Sequence, residues 1–176
     1  TAYEIVSRDW SSDVCSSDLK LFVDKLRPAA IPRHALPDDD LSEAQIRVLR
    51  AINGSLNWLA SQSRPDLAVQ TSLSQQAFPK PKIRHLRDAN NAIRRAKMHK
   101  DLVITFKPIP PERICVCCHS DAAFANVGTH TQAGFVLAFV DKSMHDGHVS
   151  PWTPVSWKSY RLPRAMSSTL DRKSVV

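Results

Sequence analysis

Apolar residues change their spacing once along this chain of 176 residues, and the change limits which folds it can adopt. Between residues 41 and 100, apolar side chains recur every three or four positions, which is typical of one face of a helix. Beyond residue 101 they form short β-prone runs separated by prolines. Helices followed by strands, without alternation between them, predict an α+β fold.

Three helices and three strands are predicted from this spacing. The helices cover residues 41–64, 65–78 and 83–99, and the strands cover residues 114–118, 134–140 and 154–158. Ser42 and Gln45 have the spacing of a capping box, so the first helix is expected to begin beside them. Pro65 suits the first turn of the second helix, because its missing N–H would be unpaired there in any case. Gly54 interrupts the first helix and predicts close packing against another backbone.

Residues 20–40 are predicted to be a connector, because Pro28, Pro32 and Pro37 exclude a long helix. Three aspartates, at positions 38–40, end this connector. We expect them to lead into the first predicted helix, since acidic side chains are favoured at the positive end of the helix dipole.

The net charge of +7 is concentrated in one stretch of the chain. Residues 80–100 contain eight Lys or Arg residues and one Asp, so this stretch alone carries the whole excess of +7. Clustered cations are the usual electrostatic signature of a face that contacts phosphates. The predicted nucleic-acid-binding residues are Arg84, Arg87, Arg94, Arg95 and Lys97. The alternative is a helix whose charged face is only solvated.

Cys115, Cys117, Cys118 and His119 have the composition of a metal site but not its spacing. Zinc sites built from cysteine usually place paired ligands two to four residues apart, so that a turn can wrap the ion. On a strand, side chains alternate between the two faces, so Cys118 would lie apart from the other three. We therefore predict buried strand cysteines rather than a metal centre.

Asp121 is a candidate metal ligand, because it is expected at or just past the end of a buried strand. Small residues follow it and leave space beside the carboxylate. Mg²⁺ is commonly held by one or two carboxylates together with water and substrate phosphate. A turn residue or a helix cap is the alternative for an Asp in this position.

Several short motifs occur in a fixed order along the chain. They are Gly54-Ser55-Leu56 with Leu59-Ala60 and Arg64-Pro65-Asp66, then Ser120-Asp121-Ala122, Gln132-Ala133-Gly134-Phe135-Val136, Val155-Ser156-Trp157-Lys158-Ser159 and Ser167-Ser168-Thr169. In this order and spacing they resemble copia-type retrotransposon polyproteins, in the region where the reverse transcriptase ends and ribonuclease H begins. The resemblance covers residues 21–170.

The resemblance implies a fold and a chemistry for each half of the chain. Residues 41–107 would be the helical segment that follows the reverse-transcriptase core. Residues 112–170 would be a partial ribonuclease H-like domain with an antiparallel three-stranded sheet. Asp121 would be the first metal-binding aspartate of that domain, which cleaves the RNA of RNA–DNA hybrids with Mg²⁺. The parent family combines RNA-directed DNA polymerase and ribonuclease H activities.

The same resemblance predicts that this chain is itself catalytically inactive. The family's second ligand is a glutamate shortly after the Ser-Ser-Thr motif, and no residue before position 171 corresponds to it. The aspartates at positions 38–40 are not the paired polymerase aspartates, since they lack β-prone flanks. We therefore expect no stably bound Mg²⁺. The alternatives are a non-catalytic nucleic-acid-binding module and a soluble α+β domain whose basic helix only faces water.

Both ends of the chain resemble translated sequencing-library adapters. Residues 1–19 show neither helical nor strand periodicity, and residues 171–176 resemble the opposite adapter. We predict that neither end contributes to the fold.

The cysteine count and the hydropathy indicate in which cellular compartment the protein is expected. Four cysteines are too few for a disulfide framework, so a reduced, intracellular protein is expected, with nucleus and cytoplasm both open. No apolar run approaches the roughly 20 residues that cross a bilayer, so no membrane partner is expected. The predicted partner is an RNA–DNA hybrid or another nucleic acid.

Overall fold

The helices precede the strands along the chain, as the sequence predicts. A computed structural model describes residues 12–127 and 130–162, with side chains for residues 19–123 and 131–162. Its helices are α1 (Ser12–Lys25), α2 (Glu43–Gln62), α3 (Ala68–Gln75) and α4 (Ile83–Met98). Its strands are β1 (Ile114–Val127), β2 (His130–Asp141) and β3 (Trp152–Arg161). The α+β class is therefore confirmed.

The first and last predicted helices are confirmed as α2 and α4. Ser42 caps α2, because its Oγ accepts a hydrogen bond from the Gln45 backbone N–H at 3.3 Å and its own N–H donates to Gln45 Oε1 at 2.9 Å. The second predicted helix divides into a 3₁₀ turn, Pro65–Leu67, and the shorter α3. Gly54 is exposed and a Cβ there would meet no atom within 4 Å, so the predicted close packing is wrong.

A further helix, α1, forms where the sequence predicted an irregular end followed by a connector. Leu19, Phe22 and Val23 lie three or four positions apart and pack on the helical core. The Phe22 ring also contacts Trp58 of α2, with ring centroids 4.6 Å apart. Leu19 lies within residues 1–19, so the prediction that this end does not contribute to the fold is wrong for Leu19. The apolar pattern of α1 spans both sides of position 19, and neither side alone is long enough to indicate a helix. Residues 1–11 and 171–176 lie outside the described residues.

Between α1 and α2 the chain has no helix, as its prolines indicate, but its aspartates do not lead into α2. They contact the first turn of α4 instead. The Asp39 carbonyl accepts a hydrogen bond from the Ile83 N–H at 3.0 Å, and Asp40 Oδ1 lies 2.6 Å from Lys82 Nζ. The prediction was wrong because α2 already has Ser42 as its cap, whereas the first N–H groups of α4 need acceptors from elsewhere.

His85 completes the start of α4. Its Nδ1 accepts a hydrogen bond from the Lys82 N–H at 2.7 Å, which is the role that Glu or Gln has in a capping box. Burial, together with the positive charge of Arg84, lowers the pKa of His85. The ring is therefore kept neutral, and its Nδ1 remains able to accept.

One buried ion pair joins α2, the 3₁₀ turn and α4. Arg64 is 3% exposed, and its Nε and Nη2 each donate to one carboxylate oxygen of Asp66 at 2.8 Å. Its Nη1 donates to the Ala96 carbonyl in the last turn of α4 at 3.2 Å. Burial alone would raise the pKa of Asp66, but the hydrogen bonds and charge of Arg64 outweigh it and hold the pKa below its ordinary value.

The helices around this pair share one apolar core. Its most deeply buried leucines are Leu49, Leu56, Leu59, Leu67 and Leu86. Burying a leucine side chain fully stabilises the fold by about 1.5–3 kcal/mol relative to exposure. The core therefore includes residues from α2, α4 and the turn between α2 and α3, the elements that the ion pair joins.

The three strands form an antiparallel sheet in the order β1-β2-β3. All three predicted strands are confirmed, and each extends beyond the apolar run that predicted it. Asp121 of β1 lies opposite Gly134 of β2, which in turn lies opposite Ser159 of β3. Because directly opposite residues share a face of the sheet, these three positions lie in one row.

Polar contacts attach the sheet to the helices. The Trp157 Nε1 donates to the Ala60 carbonyl of α2 at 2.7 Å. The buried Gln132 donates from its Nε2 to the hydroxyls of Ser72 in α3 at 2.9 Å and Ser159 in β3 at 2.7 Å. The face that carries these side chains is therefore the one turned toward α2 and α3.

Arg64→Ala should lower the free energy of unfolding by about 3–5 kcal/mol, because it leaves the partly buried Asp66 carboxylate without its main partner. Urea unfolding followed by circular dichroism measures this loss. Arg47→Ala, which removes an exposed cation of α2, should change the stability by no more than about 0.5 kcal/mol. Equal losses in the two variants would contradict the structural role of the pair.

Candidate nucleic-acid interface

Four arginines lie along the exposed side of α4 and are termed the basic face. They are Arg84, Arg87, Arg94 and Arg95. Positions three, four or seven residues apart return to the same side of a helix, so the four guanidinium groups follow one line. At 1.5 Å of rise per residue the line is about 16 Å long. The opposite side of α4 is apolar and buried in the helical core.

The two ends of the basic face differ in their contacts. At the N-terminal end, Arg84 pairs with Asp38, and Arg87 donates to the Ala35 carbonyl at 2.7 Å. At the C-terminal end, the Arg94 side chain is exposed and forms no hydrogen bond or ion pair with any part of the chain that the structure describes. Arg94 is therefore the arginine of the basic face with the fewest contacts, whereas the exposed fractions of the Arg84 and Arg95 side chains are nearly equal, at 54% and 56%.

Lys97, the fifth predicted contact residue, lies apart from the basic face. It is half-buried against α1, where its Nζ donates to the Asp24 carbonyl at 3.3 Å. Because the sequence did not predict α1, nothing in the sequence indicated this contact. The structure thus brings together four of the five predicted residues.

Arg95 connects the basic face to the turn between α2 and α3. Its Nε lies 3.7 Å from Oδ2 of Asp66, the carboxylate that the buried arginine holds in place. The neighbouring Pro65, together with Val69 at the start of α3, lines a cavity of about 590 Å³ beside the sheet. The C-terminal end of the basic face therefore adjoins this cavity across the 3₁₀ turn.

Asp121 lies in the wall of the same cavity. Its side chain is exposed and stands within β1, not at or past the end of the strand as predicted. The strand continues because residues beyond Asp121 still pair with β2, with Ala122 opposite Ala133. The predicted open space is present, since the cavity is also lined by Ala123, one of the small residues that follow Asp121, and by Gly134.

The missing side chain at Gly134 keeps the cavity open opposite Asp121. A Cβ at this position would lie 3.3 Å from the Lys158 carbonyl, which is closer than ordinary van der Waals contact. Any larger residue would have to shift β3 and would also project toward Asp121. The glycine therefore preserves the space beside the carboxylate.

The donor set does not fit the two-ion Mg²⁺ centre that the family resemblance implies. Among the described residues that line the cavity, Asp121 supplies the one carboxylate. Across residues 12–127 and 130–162, no group of three or more His, Cys, Asp or Glu side chains is arranged to hold a metal ion. Two-metal cleavage needs several carboxylates around ions roughly 4 Å apart, and the described lining of this cavity supplies one.

The cysteines of β1 follow the predicted alternation. Cys117 and His119 share one face, with Sγ 3.6 Å from Nε2. Cys115 and Cys117 are half-buried, whereas Cys118 is exposed. The prediction of buried cysteines is therefore wrong for Cys118 and holds only in part for Cys115 and Cys117, because β1 lies at an edge of the sheet.

The sequence predictions missed the residues that join the basic face to the cavity. These are Pro65, Asp66, Val69 and Gly134. Pro65, Asp66 and Gly134 belong to the ordered sequence motifs, which therefore pointed to these positions without giving their role. Their role becomes clear only from the structure, in which the turn after α2 lies beside β1.

No protein-family model, no curated protein and no solved structure matches this chain. In the described ranges, no helix is both long enough and apolar enough to cross a membrane. A functional proposal therefore rests on the basic face, the cavity beside Asp121 and the sequence motifs.

Mn²⁺, a paramagnetic substitute for Mg²⁺, should broaden the amide signals of Asp121 and Gly134 only weakly and in fast exchange. A single carboxylate displaces few of the waters that such an ion holds tightly. Asp121→Asn should abolish the broadening in ¹⁵N-edited spectra, whereas Asp146→Asn, an exposed aspartate elsewhere, should not. Tight stoichiometric binding, or broadening that persists in Asp121→Asn, would be incompatible with this description.

Proposed function

We propose that the chain is a nucleic-acid-binding segment of a copia-type retrotransposon polyprotein. Its helices correspond to the segment after the reverse-transcriptase core, and its sheet corresponds to ribonuclease H. The ligand class is the RNA–DNA hybrid, bound through its phosphates without reading of base sequence. The order of the motifs supports the family, and the antiparallel β1-β2-β3 sheet agrees with it.

The proposal depends most on the continuity between the basic face and the Asp121 cavity. Arg95 reaches Asp66, and the adjacent Pro65 lines the cavity that contains Asp121. A duplex that lies along α4 would therefore extend over the 3₁₀ turn toward the sheet. A charged face and a carboxylate-bearing cavity would then contact the same ligand.

The dimensions and chemistry of the basic face suit a phosphate backbone. Its length of about 16 Å corresponds to roughly five phosphates of one strand, at 3.4 Å of axis per phosphate. Arginine suits such contacts, because its planar guanidinium donates two parallel hydrogen bonds to phosphate oxygens. Contacts of this kind carry no sequence information, so binding should depend on charge and shape.

A basic helix that only faces water would also leave Arg94 and Arg95 exposed. The two possibilities differ in how binding responds to salt. Each phosphate contact releases counterions, so log K falls with log salt concentration by a slope of about 0.9 per contact. A merely solvated face would give no measurable hybrid binding and hence no slope.

Arg94→Ala/Arg95→Ala should reduce the salt slope of hybrid binding by about 2, because two phosphate contacts are removed. Fluorescence anisotropy with a labelled RNA–DNA hybrid between 50 and 200 mM salt measures the slope. Over this range the parent chain should lose roughly tenfold more affinity than the double variant.

Arg47→Ala/Lys142→Ala is the matched control, since it removes two exposed cations that lie outside α4. Its slope should equal that of the parent chain. If both double variants flatten the slope equally, net charge rather than the basic face controls binding. If the parent chain does not bind the hybrid at 50 mM salt, the proposed function is wrong.

A further inference from the structure

The chain's own acidic segment, residues 37–40, contacts the N-terminal end of the basic face. The segment lies across the first turn of α4, where the Pro37 carbonyl accepts a hydrogen bond from the Arg84 N–H at 2.8 Å. Asp40 forms an isolated antiparallel bridge with Lys82. Backbone contacts therefore hold the segment in place independently of its side chains.

The side chains of the acidic segment neutralise the cations at this end. Asp40 Oδ1 lies 2.6 Å from Lys82 Nζ, and Asp38 pairs with Arg84. Both carboxylates remain exposed to solvent, as does the Arg84 side chain. The hydrogen bond and charge of Lys82 lower the pKa of Asp40, so the carboxylate stays ionised at neutral pH.

These carboxylates occupy positions that would suit phosphate groups. The Lys82 ammonium and the Arg84 guanidinium are a favourable pair of donors for an anion, because hydrogen bonds between charged groups are stronger than those between neutral ones. Exposed ion pairs contribute only about 0–1 kcal/mol each, so an external polyanion can replace them. At the other end, within the described residues, no carboxylate pairs with Arg94, whereas Arg95 lies 3.7 Å from Asp66.

We propose that the acidic segment is an autoinhibitory latch: Asp38 and Asp40 compete with a phosphate backbone for Lys82 and Arg84. This inference rests on the proposed function and adds a regulation of the same site. In the latched state a polyanion contacts the C-terminal end of the basic face. When the two carboxylates are displaced, the N-terminal end becomes available and the contact extends along the whole of α4.

Asp38→Asn/Asp40→Asn should raise the affinity for the RNA–DNA hybrid by about tenfold at 50 mM salt, because two cations are no longer neutralised. The amides keep the size of the carboxylates, and the carbonyls that contact α4 are unchanged. Circular dichroism and the thermal midpoint should therefore match those of the parent chain. The single variant Asp38→Asn removes one of the two charges, so we expect a smaller increase in affinity for the hybrid.

Asp24→Asn/Asp101→Asn is the charge-matched control. Both aspartates are exposed, and they pair with Lys100 at 3.3 Å and Lys20 at 2.9 Å, away from the first turn of α4. This control should change the affinity much less than Asp38→Asn/Asp40→Asn does. Equal increases in the two double variants would mean that net charge alone matters, and the latch would be rejected.

Inorganic tripolyphosphate separates failure of the latch from failure of the proposed function. If no variant binds the hybrid but Asp38→Asn/Asp40→Asn binds tripolyphosphate about tenfold more tightly than the control, the latch stands and the proposed ligand is wrong. If neither probe distinguishes the two double variants, the latch is overturned. Isothermal titration calorimetry at 50 mM salt is suitable for this comparison.

Discussion

The ion pair between Arg64 and Asp66 holds the C-terminal end of the basic face beside the turn that borders the cavity. Arg64 uses both sides of its guanidinium, since it binds the Asp66 carboxylate and also the Ala96 carbonyl at the end of α4. The turn after α2 is therefore fixed against the last turn of α4. That arrangement places Arg95 beside the turn and Pro65 beside the cavity. Removing one partner of such a pair is costly, because the other is left charged and partly buried.

Polar contacts join the helices to the sheet. Gln132 joins β2 to α3 and β3, and the Trp157 indole is bound to the carbonyl of Ala60. Hydrogen bonds depend on direction, so they set the position of the sheet more narrowly than apolar packing would. Asp121 is thereby held on the face that looks toward the 3₁₀ turn.

The spacing of apolar residues predicted most of the helices and strands, but it did not predict the contacts between them. Ser42 and Gln45 predicted the start of α2 correctly, because a capping box is a local interaction. The aspartates at positions 38–40 were assigned to the wrong helix, because nothing local shows that α4 lacks a cap of its own. Helix α1 was missed, since its apolar pattern crosses an assumed boundary. The exposed position of Asp121 within β1 likewise depends on strand pairing, which a single sequence does not display.

The central claim is that the basic face and the Asp121 cavity belong to one nucleic-acid-binding surface. Amide chemical-shift mapping during titration with an RNA–DNA hybrid tests it most directly. The account predicts that Arg94, Arg95, Val69, Asp121 and Gly134 shift together and give one common dissociation constant. Shifts confined to α4, or a separate and weaker transition for Asp121 and Gly134, would contradict a single continuous surface.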